Sequence, residues 1–292
     1  MKQSSSVLGR LALLACTFLW GTSFVVLKNA LDDMPTLWIL AIRFSGAAAL
    51  MALISVRKLQ NLDRGYWKGG AIMGVCLAIA YIIQTYGLVY TTPGKNAFLT
   101  ATYCVLVPFL WWFFRHQRPK RRNLFAAVIC FIGMGLVSVQ EHFSVNVGDL
   151  ITIGCGLFYG LHIVATSSAA EGRDPALLSF VQFLVAAVIC WALAPLASPF
   201  PQSVPGETWL GVAYLCVMCT GVCFLLQTIG QKYTPPAEVA IILTLESVFG
   251  AILSVLFYHE RLTAQVVCGF MLIFLAVLIS EAPVTARRKR EN

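Results

Sequence analysis

Two charged residues lie deep inside apolar stretches of the sequence, where an ionised side chain is costly. Arg43 lies within the run that begins near Thr36, and Glu246 lies in the middle of the run that begins at Pro236. An ionisable side chain at the centre of a membrane helix costs about 3 kcal/mol on insertion scales, and it usually faces the protein interior or a water-filled cavity. The pair indicates a binding or coupling site. The alternatives are a structural ion pair and an Arg43 side chain that reaches the membrane interface.

The depths of Arg43 and Glu246 predict that both act on one cavity. At a rise of 1.5 Å per residue, Arg43 lies roughly 10 Å from one membrane edge and Glu246 roughly 15 Å from the other, in a core about 30 Å thick. An extended arginine side chain spans the remaining offset of about 5 Å. A substrate with an amine and a carboxylate could then replace the pairing group by group. In the other version, Glu246 carries a coupling proton.

Aromatic residues in other apolar runs are further candidates for contact with an organic substrate. Trp20, Tyr103 and Tyr159 lie near mid-run, and Tyr81 and His162 are similar. Their rings could stack on a substrate, although aromatic residues of membrane helices more often pack against one another. A lone histidine in such a run is more often a hydrogen-bonded structural residue.

Two glutamines complete the predicted site. Gln84 and Gln227 lie toward opposite membrane edges, where they could be gating residues on the two sides or form hydrogen bonds between helices. The predicted substrate site therefore comprises Glu246, Arg43, Trp20, Tyr103, Tyr159, Tyr81, His162, Gln84 and Gln227.

The cysteines do not indicate a metal centre. All ten lie within or beside apolar runs, and Cys216, Cys219 and Cys223 follow one another at helical spacing without nearby histidine or acidic residues. Zinc sites combine cysteine with such ligands at characteristic spacings. We therefore interpret these thiols as packing residues and predict neither a metal nor a cofactor.

The composition places most of the chain in a lipid bilayer. Only 12% of the 292 residues are charged, about half of what a soluble domain carries, and the mean hydropathy is +0.79. The net charge of +8 comes from short basic clusters between apolar runs. Such clusters are typical of topology signals and contacts with anionic lipid, so they do not predict a nucleic-acid partner.

Runs near the spanning length of about 20 residues predict an all-α membrane protein with ten transmembrane helices. The predicted spans are 8–28, 36–56, 68–90, 94–114, 121–140, 149–168, 175–195, 207–230, 236–257 and 262–281.

The basic residues predict the orientation of these spans. With the N-terminus inside, three of the 21 Lys and Arg residues lie outside: Lys28, Lys95 and Arg261. Seventeen lie inside: Lys2, Arg10, Arg57, Lys58, Arg64, Lys68, Arg115, Arg118, Lys120, Arg121, Arg122, Arg173, Lys232, Arg287, Arg288, Lys289 and Arg290. Cytoplasmic loops carry such an excess of positive charge. The sequence therefore predicts a multi-pass protein of the cytoplasmic membrane with both termini in the cytoplasm.

An internal repeat divides the ten spans into two halves. A constant offset of 143 residues aligns Gln84 with Gln227, Thr85 with Thr228, Gly87 with Gly230, Tyr90 with Tyr233, Thr91 with Thr234 and Pro93 with Pro236. A shorter offset aligns Trp20 with Tyr159. Five spans in each half is an odd number, so the second half has the inverted orientation that recurs among secondary transporters. The predicted repeats are residues 1–143 and 144–285, followed by a basic cytoplasmic tail at 286–292.

Over nearly its full length the sequence resembles the EamA branch of the drug/metabolite transporter superfamily. The residues that carry the resemblance are Leu19–Phe24, Arg43 after Pro35, Leu245–Phe249 and Glu260. It departs from the family pattern at Ser247, where proline is common, and at Tyr103 and Gln117, where the fourth span commonly has acidic residues. The resemblance implies a central cavity lined mainly by spans 1–4 and 6–9, alternating access, and transport, often export, of small metabolites such as amino acids.

The sequence supports other functions less well. A channel or a non-transporting sensor would share the composition. An intramembrane enzyme is the least favoured, because Gly21–Ser23 lacks the glycine that a serine protease motif places next, no Asp lies in the middle of a span, and HExxH is absent. Substrate identity, coupling ion and oligomeric state stay open, with a homodimer among the possible assemblies.

Overall fold

The computed structural model describes residues 2–138, 147–258 and 263–281, and all regular structure in these residues is helical. A 3-10 turn (Val56–Asn61) follows the second helix, and a π-helical segment (Leu215–Val222) joins the ninth helix to the tenth. The predicted basic tail at 286–292 and the predicted boundary between the halves at 143/144 lie outside the described residues.

The helices are α1 (Lys2–Ala30), α2 (Thr36–Ile54), α3 (Arg64–Tyr90), α4 (Pro93–Thr100), α5 (Tyr103–Arg115), α6 (Arg121–Ser138), α7 (Val147–Ala169), α8 (Pro175–Ala197), α9 (Gly206–Tyr214), α10 (Cys223–Tyr233), α11 (Pro236–Leu243), α12 (Leu245–Tyr258) and α13 (Ala264–Glu281).

Seven of the ten predicted spans are helical segments long and apolar enough to cross a membrane. They are Val7–Ala30, Thr36–Ile54, Arg64–Tyr90, Asn96–Arg115, Val147–Ala169, Pro175–Ala197 and Gly206–Tyr233. The other three predicted spans are helical but fall outside this set. Among them, the ninth is divided between α11 and α12, and the tenth contains the shorter apolar stretch Val267–Ser280.

Two predicted spans are interrupted at matching places. α4 and α5 meet at Thr102, and α11 and α12 meet at Thr244. Each of these threonines donates its hydroxyl to a carbonyl three residues back, Thr102 to Leu99 at 2.8 Å and Thr244 to Ile241 at 2.6 Å. Their backbone N–H groups bond to the same carbonyls. A threonine that bonds back to the main chain competes with the α-helical ladder, so the ladder is interrupted at each of these threonines.

The helices of the two halves pack in corresponding ways. α1 packs against α10 and α12, while α7 packs against α3 and α5, and the pairs α2/α8 and α6/α13 also pack together. Small residues allow the closest approaches. A Cβ added at Gly70 of α3 would lie 2.5 Å from Cβ of Val181 in α8, so this contact requires glycine, as is common where membrane helices approach closely.

Charged side chains connect the loops at each end of the bundle. At one end, Lys58 donates to Asp174 at 2.7 Å and Lys232 donates to the backbone carbonyl of Arg173 at 3.2 Å. At the other end, Lys28 donates to the carbonyl of Leu88 near the end of α3 at 2.8 Å. The sequence assigns the first group to the cytoplasm and Lys28 to the outside, and the structure keeps these groups apart.

Asp174 also caps the N-terminus of α8, where its carboxylate accepts the backbone N–H of Ala176 at 2.9 Å. Burial raises the pKa of Asp174, but the hydrogen bonds from Lys58 and Ala176 outweigh burial and hold that pKa below its ordinary value. The bond to Asp174 likewise raises the pKa of Lys58. Because the pKa of Asp174 is depressed, the contact stabilises the folded chain above the ordinary pKa of Asp and is lost as the pH falls through the lowered value.

Candidate functional site

A buried cavity lies between helices from both halves of the chain. Its volume is about 30 Å³, which is room for two or three water molecules at about 10–15 Å³ each. Every side chain that lines it is buried. The lining residues are Trp20, Ser23, Phe24, Leu27, Arg43, Tyr81, Gln84, Thr100, Tyr103, Tyr159, Ile163, Gln227, Leu243 and Glu246.

Arg43 of α2 is held at this cavity by neutral groups. Its Nε donates to the hydroxyl of Thr220, and its Nη2 donates to the Tyr81 hydroxyl at 3.2 Å and to the Cys219 carbonyl at 3.4 Å. The guanidinium carbon lies 4.7 Å from the centroid of the Tyr81 ring, within the range of a cation–π contact. Within the described chain Nη1 has no hydrogen-bond partner, so Arg43 is fixed in place while one of its nitrogens stays available to a ligand.

The π-helical segment supplies two of the groups that hold Arg43. The Thr220 hydroxyl donates to the carbonyl of Leu215, five residues back, at 2.9 Å. The Cys219 carbonyl accepts a second hydrogen bond, from Nε1 of Trp20 at 2.9 Å. π-turns interrupt the regular helical ladder and occur frequently at functional sites. Here the interruption fixes both Arg43 and the indole of Trp20.

Glu246 of α12 lines the cavity and is 5% exposed. Its Oε1 accepts the hydroxyl of Tyr103 at 3.2 Å, and Oε2 has no hydrogen-bond partner among the described residues. The sequence predicts that Arg43 reaches Glu246, but the structure does not pair them. The guanidinium of Arg43 forms its hydrogen bonds with Thr220, Tyr81 and Cys219 instead. The two charges therefore share a cavity without forming an ion pair.

Both polar atoms of the Gln84 side-chain amide form hydrogen bonds. Its Nε2 donates to the hydroxyl of Thr100 at 2.9 Å, and its Oε1 accepts the hydroxyl of Tyr159 at 2.7 Å. The backbone carbonyl of Gln84 also accepts Nδ2 of Asn96 at 3.1 Å. This residue therefore connects α3, α4 and α7, which agrees with the interhelical interpretation of Gln84.

Gln227, its counterpart in the repeat, differs. It is 2% exposed, and its Oε1 is buried without a hydrogen-bond partner in the described chain. The hydrogen-bond partners of Gln84 are Thr100 and Tyr159. In the repeat, Leu243 corresponds to Thr100, and Trp20 corresponds to Tyr159. Leucine offers no polar group, and Trp20 donates to Cys219 instead. The cavity wall is thus sealed by hydrogen bonds on one side and left with an unpartnered amide oxygen on the other.

The predicted aromatic residues both pack and line the cavity. The ring centroids of Tyr81 and Tyr159 are 5.6 Å apart in an edge-to-face arrangement, and the Tyr103 ring lies 6.4 Å from that of Tyr159. Trp20 packs edge-on against Phe224 at 5.0 Å. Such contacts hold the rings in fixed orientations.

His162 does not line the cavity. Its Nε2 lies 2.9 Å from Oε1 of Gln182 in α8, and its ring packs edge-on against Phe224 at 5.6 Å. Tyr159 and Ile163, four residues apart, face the cavity, and His162 lies on the neighbouring face of α7. The other eight predicted site residues are brought together around the cavity.

Sequence reasoning missed several residues of the site. Ser23, Phe24 and Leu27 follow Trp20 at three, four and seven residues, so the helical period indicates one shared face of α1. That signal could have identified them. Thr220 and Cys219 carry no such signal, because the π-segment that presents them has no recognisable sequence pattern.

The described residues contain no group of three or more His, Cys, Asp or Glu side chains that could hold a metal ion. All ten cysteines are free thiols. What the cavity offers instead is one cation, one carboxylate, hydrogen-bonding amides and aromatic rings. These groups can bind and orient a small polar organic molecule.

These features define a class, that of multi-pass helical membrane proteins with a small, buried polar cavity between their helices. A sequence model of the EamA-like transporter family matches residues 7–139 and again residues 146–281. The chain therefore belongs to the EamA-like transporter family, as the resemblance implied.

Known proteins resemble the chain over most of its length. An uncharacterized transporter of Archaeoglobus fulgidus is 31% identical, over 92% of this chain and 84% of that protein. The uncharacterized transporter YoaV of Bacillus subtilis is 20% identical, over 95% and 98%. A protein of known crystal structure superposes with a TM-score of 0.78 at 16% identity, covering 96% of both chains. That likeness concerns the fold alone.

Proposed function

We propose that the protein moves a small amino-acid-like solute, one with both an amine and a carboxylate, across the cytoplasmic membrane by alternating access, in the direction of export. The observation that carries this proposal is the pair of opposite charges on one buried cavity. Arg43 and Glu246 both line it, and each has an atom without a hydrogen-bond partner in the described chain.

The two charges suit the two ends of a zwitterion. A carboxylate takes hydrogen bonds from Nη1 of Arg43, and an ammonium group donates to Oε2 of Glu246. Charge-assisted hydrogen bonds of this kind are about twice as strong as neutral ones. The rings of Trp20, Tyr81 and Tyr159 then surround the rest of the solute. Glu246 is also the residue that we propose for a coupling proton.

The size of the cavity supports alternating access. An amino acid is larger than the two or three water molecules that about 30 Å³ can hold, so the helices must separate to admit it. The breaks at Thr102 and Thr244 precede Tyr103 and Glu246 closely and are natural places for such bending. Broken helices near the membrane midplane form the solute sites of many secondary transporters.

The rest of the proposed organisation follows the charge distribution and the repeat. We place ten spans in two inverted halves, residues 1–143 and 144–285, with both termini in the cytoplasm. The protein would thus lie in the cell membrane, with the basic tail at 286–292 on its inner side.

The test is transport of a panel of labelled amino acids by purified protein in proteoliposomes. Saturable uptake that unlabelled solute competes out is the expected result for the wild-type protein. Glu246→Gln and Arg43→Gln should each slow it by about tenfold or more, since a charge-assisted hydrogen bond is worth about 1.5–3 kcal/mol. Export predicts that cells making the protein hold less of the solute inside and more outside.

Matched controls are Arg64→Gln and Glu207→Gln, which remove the same charges from exposed positions and should leave transport unchanged. Flux that never saturates would indicate a channel. Near-normal transport by well-inserted Glu246→Gln would remove that residue from the mechanism. Normal transport by the double variant, with both single variants poorly folded, would make the two charges structural.

A further inference from the structure

A stripe of polar side chains runs along one face of α10, from the cavity to the end of the helix. Gln227, Gln231 and Thr234 are spaced four and three residues apart, which places them on one face. Gln227 lines the cavity, and Thr234 is the C-cap of α10. The three residues are 2%, 4% and 4% exposed.

Four buried polar atoms of this stripe lack a hydrogen-bond partner among the described residues. Oε1 of Gln227, both amide atoms of Gln231 and the hydroxyl of Thr234 are buried without a partner in the described chain. Folded proteins rarely bury polar groups in this way, because each such group loses its hydration without compensation. Groups that receive no protein partner are satisfied by water or by a bound solute.

The corresponding face in the first half is built differently. The offset of 143 residues aligns Gln231 with Leu88 and Thr234 with Thr91. Leu88 is fully buried, and Thr91 donates its hydroxyl to Asp149 at 2.8 Å. Protein contacts therefore seal that face of α3, and the unpartnered stripe is a feature of α10.

A buried carboxylate lies at the far end of the stripe. Glu238 of α11 follows Thr234 by four residues and is 4% exposed. Its carboxylate lies 3.2 Å from Nη2 of Arg122 in α6 and 3.8 Å from Nη2 of Arg10 in α1. These ion pairs join α1, α6 and α11 at the end of the bundle where α10 ends.

We infer that Gln227, Gln231 and Thr234 line a hydrated passage from the central cavity to the end of the bundle at which α10 ends, and that Arg10, Glu238 and Arg122 close its mouth. The solute leaves the cavity, or enters it, along this face of α10. The end concerned is cytoplasmic in the orientation proposed above, and the role in transport rests on the proposed function.

The first experiment replaces Gln231 by the residue that the repeat has at the same place. Gln231→Leu removes no hydrogen bond between protein groups, so the variant should melt at or above the wild-type temperature. The passage, however, becomes apolar at its middle, and transport of the amino-acid panel should slow by about tenfold, the effect of one uncompensated polar group. A lower melting temperature would show that Gln231 has a structural partner, and a wild-type transport rate would show that the solute does not pass it. Either result overturns the inference.

A matched pair of threonines supplies the control. Thr91→Val removes the bond to Asp149 and should lower the melting temperature, while Thr234→Val should not. An equal loss in both variants would contradict the difference between the two faces.

A labelling measurement tests the passage without transport. In Thr234→Cys, a water-soluble maleimide should modify the new thiol, measured by mass spectrometry of its peptide, and adding Glu238→Gln should make labelling faster. If the thiol stays unlabelled in both backgrounds, there is no hydrated passage. If the wild-type protein moves no solute, the proposed function fails, while labelling and melting still decide the passage.

Discussion

A buried arginine with neutral partners keeps its charge available to a ligand. Arg43 is 1% exposed, yet its partners are the Thr220 hydroxyl, the Tyr81 hydroxyl and ring, and the Cys219 carbonyl. These groups offset part of the desolvation cost but leave the charge without a counterion among the described residues. A solute carboxylate therefore meets a cation that needs no ion pair to be broken first. Glu246 likewise has a neutral partner, since its carboxylate accepts the hydroxyl of Tyr103. A solute ammonium group therefore also meets a charge that no ion pair holds among the described residues.

Gln84 and Gln227 give a residue-scale prediction, because the repeat makes each the control for the other. Gln84→Leu breaks hydrogen bonds to Thr100 and Tyr159 and should lower the free energy of unfolding by about 2 kcal/mol, at about 1 kcal/mol per bond. Gln227→Leu breaks none and should leave it unchanged or raise it. Unfolding in detergent measures both. Equal destabilisation would mean that Gln227 has a partner of its own.

The residue types of the site could be predicted from the sequence because charges and amides are rare in apolar runs. Eight of the nine predicted residues line one cavity. Their pairing could not be predicted, since the partner of Arg43 depends on the rotation of three helices and on side-chain rotamers. The position of His162 outside the cavity lining could not be predicted for the same reason. Successive residues of a helix are rotated by roughly 100°, so one residue separates a cavity face from a packing face.

At the scale of elements, the site lies where helices depart from regular geometry. Hydropathy predicts uninterrupted spans at 94–114 and 236–257, but both are broken, at Thr102 and Thr244. A threonine that bonds back to the main chain hardly changes the mean hydropathy of a run, so composition does not reveal such a break. Composition does not reveal the π-helical segment before α10 either. Helix existence is thus readable from the sequence here, and helix continuity is not.

The π-segment gives the element-scale prediction, with Thr220 as a positioning residue for Arg43. Thr220→Val removes the acceptor of Nε while keeping the side-chain shape. It should raise the apparent KM for a carboxylate solute by about tenfold and change the maximal rate less, at about 1.5 kcal/mol for a bond to a charged group. Thr220→Ser should restore the KM.

Thr228 is the matched control for this prediction. It lies on the same predicted span, and its hydroxyl bonds within its own helix, to the Phe224 carbonyl at 2.7 Å. Thr228→Val should therefore leave the KM unchanged. If both valine variants raise the KM equally, or if Thr220→Ser fails to restore it, the hydroxyl does not position Arg43.

At the scale of the whole molecule, residues near a two-fold axis contact their own counterparts. Tyr103 and Glu246 are 143 residues apart and are joined by a hydrogen bond of 3.2 Å. The counterpart helices α2 and α8, and α6 and α13, also pack together. This pattern favours a two-fold relation between the halves. The superposition of spans 1–5 on spans 6–10, with Tyr103 on Glu246, stays a prediction.

The membrane location and the family could be read from the sequence, because composition and the signature residues are properties of the chain itself. The prediction of an EamA-like transporter is confirmed by matches in both halves. The count of ten spans stays a prediction, because seven helical segments of the described residues qualify by length and hydropathy. The ninth predicted span is divided between α11 and α12, and two short helices in sequence could together cross a bilayer that neither crosses alone.

The orientation of the whole bundle is the last prediction, and it rests on the distribution of the basic residues. Seventeen of the Lys and Arg residues fall on one predicted side and three on the other, and positively charged loops stay in the cytoplasm. Lys58 meets Asp174 and Lys232 meets Arg173, so these loops share one end of the bundle, whichever side of the membrane that end faces. Reporters fused after Asp33 or Glu207 should then give an exterior signal, and reporters fused after Arg122 or Arg288 an interior one. An exterior signal from Arg288 would make the number of spans odd. The two halves could then not both hold five spans, and the inverted relation that makes alternating access natural would lose its basis.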